Sequence, residues 1–563
     1  MMLSNSFIIL FITLTSYVCA ILDAPTILNN GKGVLCSPIQ SKPNKPSKSY
    51  IKLKTQHLKY EDNLQSIQAL IFHYPDIVNF TAIPTLEEFA QLYPNEKKVL
   101  YKTMLTDDHK FNVNAESGYN VDKTKFWEGE LSSKNDVVFK ISQSGIYCVY
   151  IAPILENDQK EKLGAVDFKV PIVFKNYYGN LSYPMYLIYS TIKYVVVISI
   201  IMFIVLFNYI LRFKIGENFQ NLNSISVISK GILFLILAPF ICLDIFQGFV
   251  FWCINNFLET DSKSFIMSTL FFINETIDSI YSSFRNYVVL LFAMGFGVIY
   301  YYNGNSNNYR LFPQESFRKI TAFLFINIIA LIVNNILNYL FLSQDYQIVG
   351  LFSTMGSPAS TTSGFDTNDN NNNFLMLSNT IVSLFQLCWF VLSVIFYFKT
   401  KKTIATFPSA SDPDSNQKVV SAFRKSFFVI MVLPIITAII GGLISGILTL
   451  RSFSNVPDFP QNSNRDLVYQ SALMIIMLEN SLGKFIMPIV YSTLFYYFTL
   501  ILSIFFIWIK DNNGLIYSED DPVAYADVSN FNISDDDDNG PTEEETQVDN
   551  AQEEHQEEEP VRI

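Results

Sequence analysis

Seven long apolar runs, separated by polar stretches, follow residue 183 of 563, and they dictate the solvent in which the chain can fold. They run approximately over Met185 to Leu211, Val227 to Phe251, Ile280 to Tyr302, Ile320 to Leu342, Leu375 to Phe398, Ser426 to Leu450 and Phe485 to Ile509. Each is long enough to cross about 30 Å of hydrocarbon as a helix, and helices satisfy their own backbone there. Only 16% of the residues are charged, against about 25% in ordinary soluble proteins. The net charge of -12 is not spread evenly: residues 511–563 hold 18 Asp and Glu and one Arg, so the remainder is net positive. Neither an acidic soluble enzyme nor a basic nucleic-acid binder describes such a chain.

The N-terminus offers a route to the membrane. Leu3 to Val18 is apolar and without acidic residues, and Val18-Cys19-Ala20 suits signal-peptidase cleavage after Ala20. The run is shorter than the roughly 20 residues of a span, which favours a cleaved signal at 1–20 over an uncleaved anchor. Residues 21–183 are polar enough to fold in water. Tyr50 to Leu58, Ile67 to Tyr74, Lys98 to Leu105, Asp136 to Ser142, Gly145 to Ile151 and Val166 to Phe174 alternate at period two, which predicts an all-β sandwich in the lumen. Its two cysteines, Cys36 and Cys148, read as a disulfide in an oxidising lumen, with two buried thiols as the alternative. Asn79 and Asn180 each begin an Asn-X-Ser/Thr triplet, a glycosylation acceptor on the luminal side.

Charge asymmetry gives an independent test of topology. With the N-terminus luminal, loops after the odd-numbered spans are cytosolic, and their flanks carry twelve Lys and Arg, among them Arg212, Arg318, Lys399, Lys402 and Arg424. The opposite loops hold Lys263, Arg451 and Arg465, as the positive-inside rule expects. The bundle is therefore assigned to 184–510, with 511–563 as a disordered acidic cytosolic tail that has too little apolar surface to offset its ordering entropy. Ser518, Ser534 and Thr542 are each followed by at least three acidic residues, the context acidophilic kinases prefer. Tyr525 and Val528 fit a tyrosine-plus-apolar sorting signal, a short pattern that also arises by chance.

Ionisable groups inside spans are costly unless paired or hydrated. Asp244, Asp278 and Arg285, with Glu479 and Lys484 just before the seventh span, predict a polar cluster in the luminal third of the bundle, and Asp244 and Arg285 are expected to approach one another. Structural ion pairing and a ligand or ion site are both open readings of that cluster. Asn327, Asn334, Asn335 and Asn338 predict interhelical hydrogen bonds on the fourth helix, and Gly442 with Gly446 predicts close helix packing in the sixth. The four histidines all lie outside the spans, and no HExxH, GxSxG, Walker-type or clustered Cys/His pattern occurs, so neither an enzyme nor a cofactor is expected.

Ser283-Phe284-Arg285-Asn286-Tyr287, leading through Met294-Gly295-Phe296-Gly297-Val298 to Tyr300, resembles the third span of the lung seven-transmembrane receptor group, also called the Golgi-dynamics-domain seven-transmembrane family, and most closely its fungal Ptm-type members. Ser144-Gly145-Ile146-Tyr147-Cys148 is similar to the strand that ends the family's luminal domain. The family's seventh span often exits through Trp-Arg-Pro, where this chain has Trp508-Ile509-Lys510. The resemblance implies a multi-pass resident of Golgi and endosomal membranes acting in membrane traffic or cargo sorting. Lipids, a luminal cargo or protein, and cytosolic adaptors would be its partners, and nucleic acid would not. A ligand-binding signalling receptor, and a channel or transporter built on the polar cluster, are the competing readings.

Overall fold

A computed structural model describes residues 27–28, 33–42, 48–55, 64–80, 82–86, 103–106, 108–113, 125–131, 135–155, 169–212, 226–257, 265–301, 310–342, 369–406, 413–453 and 466–509. The signal segment, the acidic tail with Ser518, Ser534, Thr542, Tyr525 and Val528, and Thr81 of the first glycosylation triplet lie outside the described residues.

The N-terminal region is a two-layer sandwich. One sheet orders β1 (Ile27–Leu28), β8 (Val170–Lys175), β3 (Tyr50–Leu53) and β6 (Val137–Lys140). The other orders β2 (Val34–Ile39), β7 (Gly145–Leu155), β4 (Leu64–His73) and β5 (Phe126–Glu130), and all its pairings are antiparallel. Alternation along β7 explains the layering, because successive side chains leave a strand on opposite faces. Tyr147, Val149 and Ile151 enter a core shared by both sheets with Leu35, Ile51, Ile71 and Ile172. Ile146, Cys148, Tyr150 and Ala152 enter a second core on the outer face of the sheet. The strand is thus buried on both sides, which is why its sequence is an almost unbroken apolar run. Cys36 and Cys148 stand directly opposite one another on β2 and β7, bonded, with Cα atoms 4.0 Å apart. Thr103 and Met104, expected to be extended, are helical instead, and Leu105 makes only an isolated bridge to Phe111.

Among the described residues seven helices follow: α1 (Tyr183–Ile210), α2 (Val227–Phe257), α3 (Phe265–Ala293), α4 (Gln314–Leu342), α5 (Asp369–Ala405), α6 (Pro413–Phe453) and α7 (Asp466–Trp508). Six of them, all except α3, are long and apolar enough to cross a membrane, so the chain has the make-up of a multi-pass protein in contact with lipid. Each helix packs against the next, α7 returns to α1, and α3 also reaches α5. The half of this ring remote from the sandwich has a large apolar core, which joins Leu206, Leu233, Leu290, Leu324, Tyr397, Phe423 and Phe505. Trp508 is buried there and donates from Nε1 to Ser426 Oγ at 2.8 Å.

Two expectations about the helices are corrected. The third helix occupies 265–293 rather than 280–302; it stops where Gly295 and Gly297 take φ of 91° and 77°, and the stretch Met294–Tyr300 folds as a tight loop against Ile228 and Thr400. Gly442 and Gly446 face open space, and it is Gly441 whose missing side chain lets α7 approach: a Cβ there would lie 2.3 Å from Ser492 Oγ.

Candidate functional site

Two groups of polar side chains stand out, one where the sandwich meets the bundle and one within the bundle. At the first, α7 begins well before its apolar stretch, and one face of this extension, with the spacing of successive helical turns, meets the sandwich. Ala472, Ile475 and Leu478 are buried in the outer core with Phe72, Tyr74, Phe80 and Tyr150. Polar contacts flank them. The Tyr74 hydroxyl lies 2.6 Å from Ser471 Oγ and accepts from Leu86 N at 3.1 Å. Glu479 Oε1 accepts from Ile146 N of β7 and lies 3.1 Å from His73 Nε2. His73 Nδ1 is 4.0 Å from Asp76 Oδ2, so two carboxylates face one imidazole.

A second clamp joins the sandwich to α2. Asn255, near the end of that helix, accepts from Leu181 N through Oδ1 at 3.2 Å and donates through Nδ2 to Tyr178 O at 2.7 Å. Asn180 N donates to Asn255 O at 3.1 Å, which buries Asn180 and leaves a glycan less room there than at half-buried Asn79. Tyr178 stacks on Tyr186 with ring centroids 3.6 Å apart, and burial pushes its phenol well above the usual range. Gly179 sits at φ 141°, a backbone conformation that side chains rarely adopt, and a Cβ would lie 2.3 Å from Asn255 Oδ1. Gly179→Ala should therefore lower stability by roughly 2 kcal/mol or more, visible as a drop of several degrees in the thermal midpoint of the whole chain.

Within the bundle the key residues come from α2, α3 and α7. In α2 the stretch Ile232–Leu237 is wound as a π-helix just before Pro239, whose ring nitrogen has no hydrogen to donate. Tyr281 of α3 donates its hydroxyl to the carbonyl of Ile236 in that stretch at 2.8 Å. The guanidinium of Arg285 lies 5.2 Å over the Tyr281 ring; one terminal nitrogen reaches Ser282 Oγ at 3.4 Å, and Nε is enclosed without a partner. Asp278 is in electrostatic range of both Arg285 and Asp244. Asp244 is 8% exposed, and its Oδ2 has no hydrogen-bond partner. Tyr497 of α7 packs on Phe240 at 4.1 Å, and its enclosed hydroxyl lies beside that of Tyr281.

The expected cluster is thus rearranged. Asp244, Asp278 and Arg285 do come together, but no salt bridge joins Asp244 to Arg285, and Tyr281 and Tyr497 complete the group. It lies at mid-bundle rather than in the sandwich-side third: Arg285 is only about 12 Å of helix rise from the remote end of α3. Glu479 belongs to the sandwich contact, about 27 Å of helix rise from Tyr497, and Lys484 is exposed on that same extension of α7. Tyr497 escaped detection because nothing in an aromatic-rich run marks one phenol as enclosed. Of the fourth-helix amides, Asn327 donates to Ser283 Oγ at 2.7 Å and Asn335 to Ser279 Oγ at 3.1 Å, the interhelical bonds expected of them. Among the described residues no group of three or more His, Cys, Asp or Glu side chains is placed to hold a metal ion.

No protein-family model matches the sequence, and no curated protein matches it.

Proposed function

We propose that this chain is a seven-span protein of Golgi and endosomal membranes that acts in membrane traffic or cargo sorting. Its sandwich faces the lumen and takes a protein partner, and its opposite loops and acidic tail engage cytosolic adaptors. The observation that carries this reading is the construction of the sandwich onto α7: the helix supplies Ala472, Ile475 and Leu478 to the outer core and Glu479 to the backbone of β7. A partner that tilts the sandwich must therefore displace α7, whose other end is fixed to α6 by Trp508 and Ser426. A tethered module on a flexible linker would not transmit such a load. The third crossing is assigned to α3, a 29-residue helix packed between α2 and α4, whose charged residues Asp278 and Arg285 are offset against one another.

Regulation is assigned to the tail, where phosphate at Ser518, Ser534 or Thr542 would deepen an acidic strip suited to a basic adaptor surface. Removing residues 515–563 should leave folding and export intact while moving the protein between Golgi, endosome and vacuole or surface at native expression. Fluorescence microscopy of the truncated chain checks this. An unchanged distribution would remove tail-directed sorting.

A further inference from the structure

The end of the sandwich that meets the bundle is basic. A chain of hydrogen bonds marks that end. Asn176 Nδ2 donates to Leu181 O, just before α1, at 2.9 Å, and Gln40 N donates to Asn176 Oδ1 at 2.7 Å. Ser49 Oγ donates to Gln40 O at 3.1 Å, and Ile141 N donates to Ser49 O at 2.9 Å. The stretches 39–42, 48–50, 139–144 and 174–182 that make this floor contain Lys42, Lys48, Lys140 and Lys175 and no Asp or Glu. On the first sheet Lys140, Tyr50 and Lys175 stand side by side in one row, which faces outward because the next residues, Ile51, Phe139 and Phe174, fill the core. Lys175 Nζ lies 5.6 Å over the Tyr50 ring, and Lys42 Nζ lies 5.9 Å over that of Tyr177. Asp76 and Glu479, at the same end of the strands, belong to the side of the other sheet, where they face His73.

The first helix sets the height of this floor. Lys193 is exposed on α1, and its ammonium lies 4.0 Å over the ring of Tyr189, one turn nearer the sandwich. A lysine on a lipid-facing surface reaches for the interface in this way, where tyrosine is also favoured. From Tyr189 to Ile210, where α1 ends, the helix rises about 31 Å, which matches the thickness of the hydrocarbon. Tyr183 to Ile188 then crosses the headgroup layer, and the floor of the sandwich meets the headgroups from outside.

We propose that the sandwich rests on the bilayer through this floor, and that Lys42, Lys48, Lys140 and Lys175 recruit anionic phospholipid headgroups from the leaflet beneath it. Charge complementarity selects the occupant. Four cations with no carboxylate in their stretches, interleaved with tyrosine rings, suit a layer of phosphates, and the start of α1 holds them at the level of that layer. Lipid composition would thereby bias the tilt of the sandwich, and with it the load on α7. The proposal rests on the chain crossing a membrane and not on its place in the cell.

The test uses the purified full chain in nanodiscs of phosphatidylcholine alone and of an equal mixture of phosphatidylcholine and phosphatidylglycerol. Acetylation of each lysine by a water-soluble reagent is followed by peptide mass spectrometry. Lys42, Lys48, Lys140 and Lys175 should react roughly five-fold more slowly in the mixed discs, the Boltzmann factor of one lysine held at an anionic surface. High salt should remove the difference. Lys169, exposed before the opposite end of β8 and roughly 20 Å of strand away, lies beyond the Debye length and should react equally in both discs. Lys48→Glu combined with Lys140→Glu, at two exposed positions, should return Lys42 and Lys175 to the rate seen in phosphatidylcholine. Equal rates at the four lysines in the two discs would overturn the proposal. So would slowing that extends to Lys169, which would mark a general surface potential. Protection of the four lysines by heparin over phosphatidylcholine discs, but not by phosphatidylglycerol, would mark a soluble polyanion as the occupant and overturn it too. None of these outcomes bears on the localisation of the tail-truncated protein, so the two readings fail separately.

Discussion

Cys148→Ser should destabilise the sandwich by about 4–5 kcal/mol, the entropy of closing a loop as long as the 112 residues between the two cysteines. That is comparable to the whole stability of a small domain, so the protein should be retained and degraded rather than exported. The location of the bond adds to the effect. Cys36 and Cys148 lie on the outer face of the sheet, in the core that α7 completes, and both are buried. A serine hydroxyl there would be enclosed among Phe72, Tyr150 and Ile146 without water. Cys36→Ser should be as damaging as Cys148→Ser, and the double variant no worse than either, because one bond is lost in all three. Pulse proteolysis of the three variants in membranes checks this. Equal resistance to wild type would mean that the strand ladder alone holds β2 to β7.

Glu479→Ala should loosen the sandwich from the bundle by about 3 kcal/mol. The substitution deprives Ile146 N of its acceptor and His73 Nε2 of its partner in one step, and a buried backbone donor left unpaired costs about 1–3 kcal/mol on its own. Glu479→Gln keeps an acceptor oxygen at the same reach and should recover most of the loss. In a double-mutant cycle, His73→Ala should add little once Glu479 is already Ala, because the contact between them is gone. Limited proteolysis between the strands, or a split of one thermal transition into two, reports the loosening. A single unchanged transition in Glu479→Ala would show that the apolar face of Ala472, Ile475 and Leu478 holds the contact without help.

The sequence is informative wherever a periodicity has one cause. Apolar runs as long as a membrane is thick satisfy their backbone as helices, so the six membrane-length helices are visible, and period-two alternation from Tyr50 and Gly145 marks real strands. Helix ends are less visible. The apolar composition of Met294 to Tyr302 runs on after α3 has stopped, because the stop is written in two glycines with positive φ rather than in polarity. The reverse holds for α7, where Ser471 and Glu479 look like the polar end of a span, although their partners are in a sandwich more than 300 residues earlier in the chain. The mid-bundle group was visible as charges and not as geometry. Asp244 and Arg285 look paired because opposite charges at similar depth usually are, yet no salt bridge joins them, and it is Asp278, seven residues earlier on the same face of α3, whose carboxyl feels the Arg285 charge.

The outer core of the sandwich has a consequence for modularity. Part of that core's lid is a helix that arrives after almost the entire chain has been made, since Ala472, Ile475 and Leu478 close over strands that end by residue 155. Until then the outer core lacks the helical face that completes it. The sandwich is therefore not an autonomous unit that could be moved to another anchor or produced alone with its surface intact. Its completion waits for the last helix, and quality control that inspects exposed apolar surface on the sandwich would in effect be checking whether the whole bundle has been inserted.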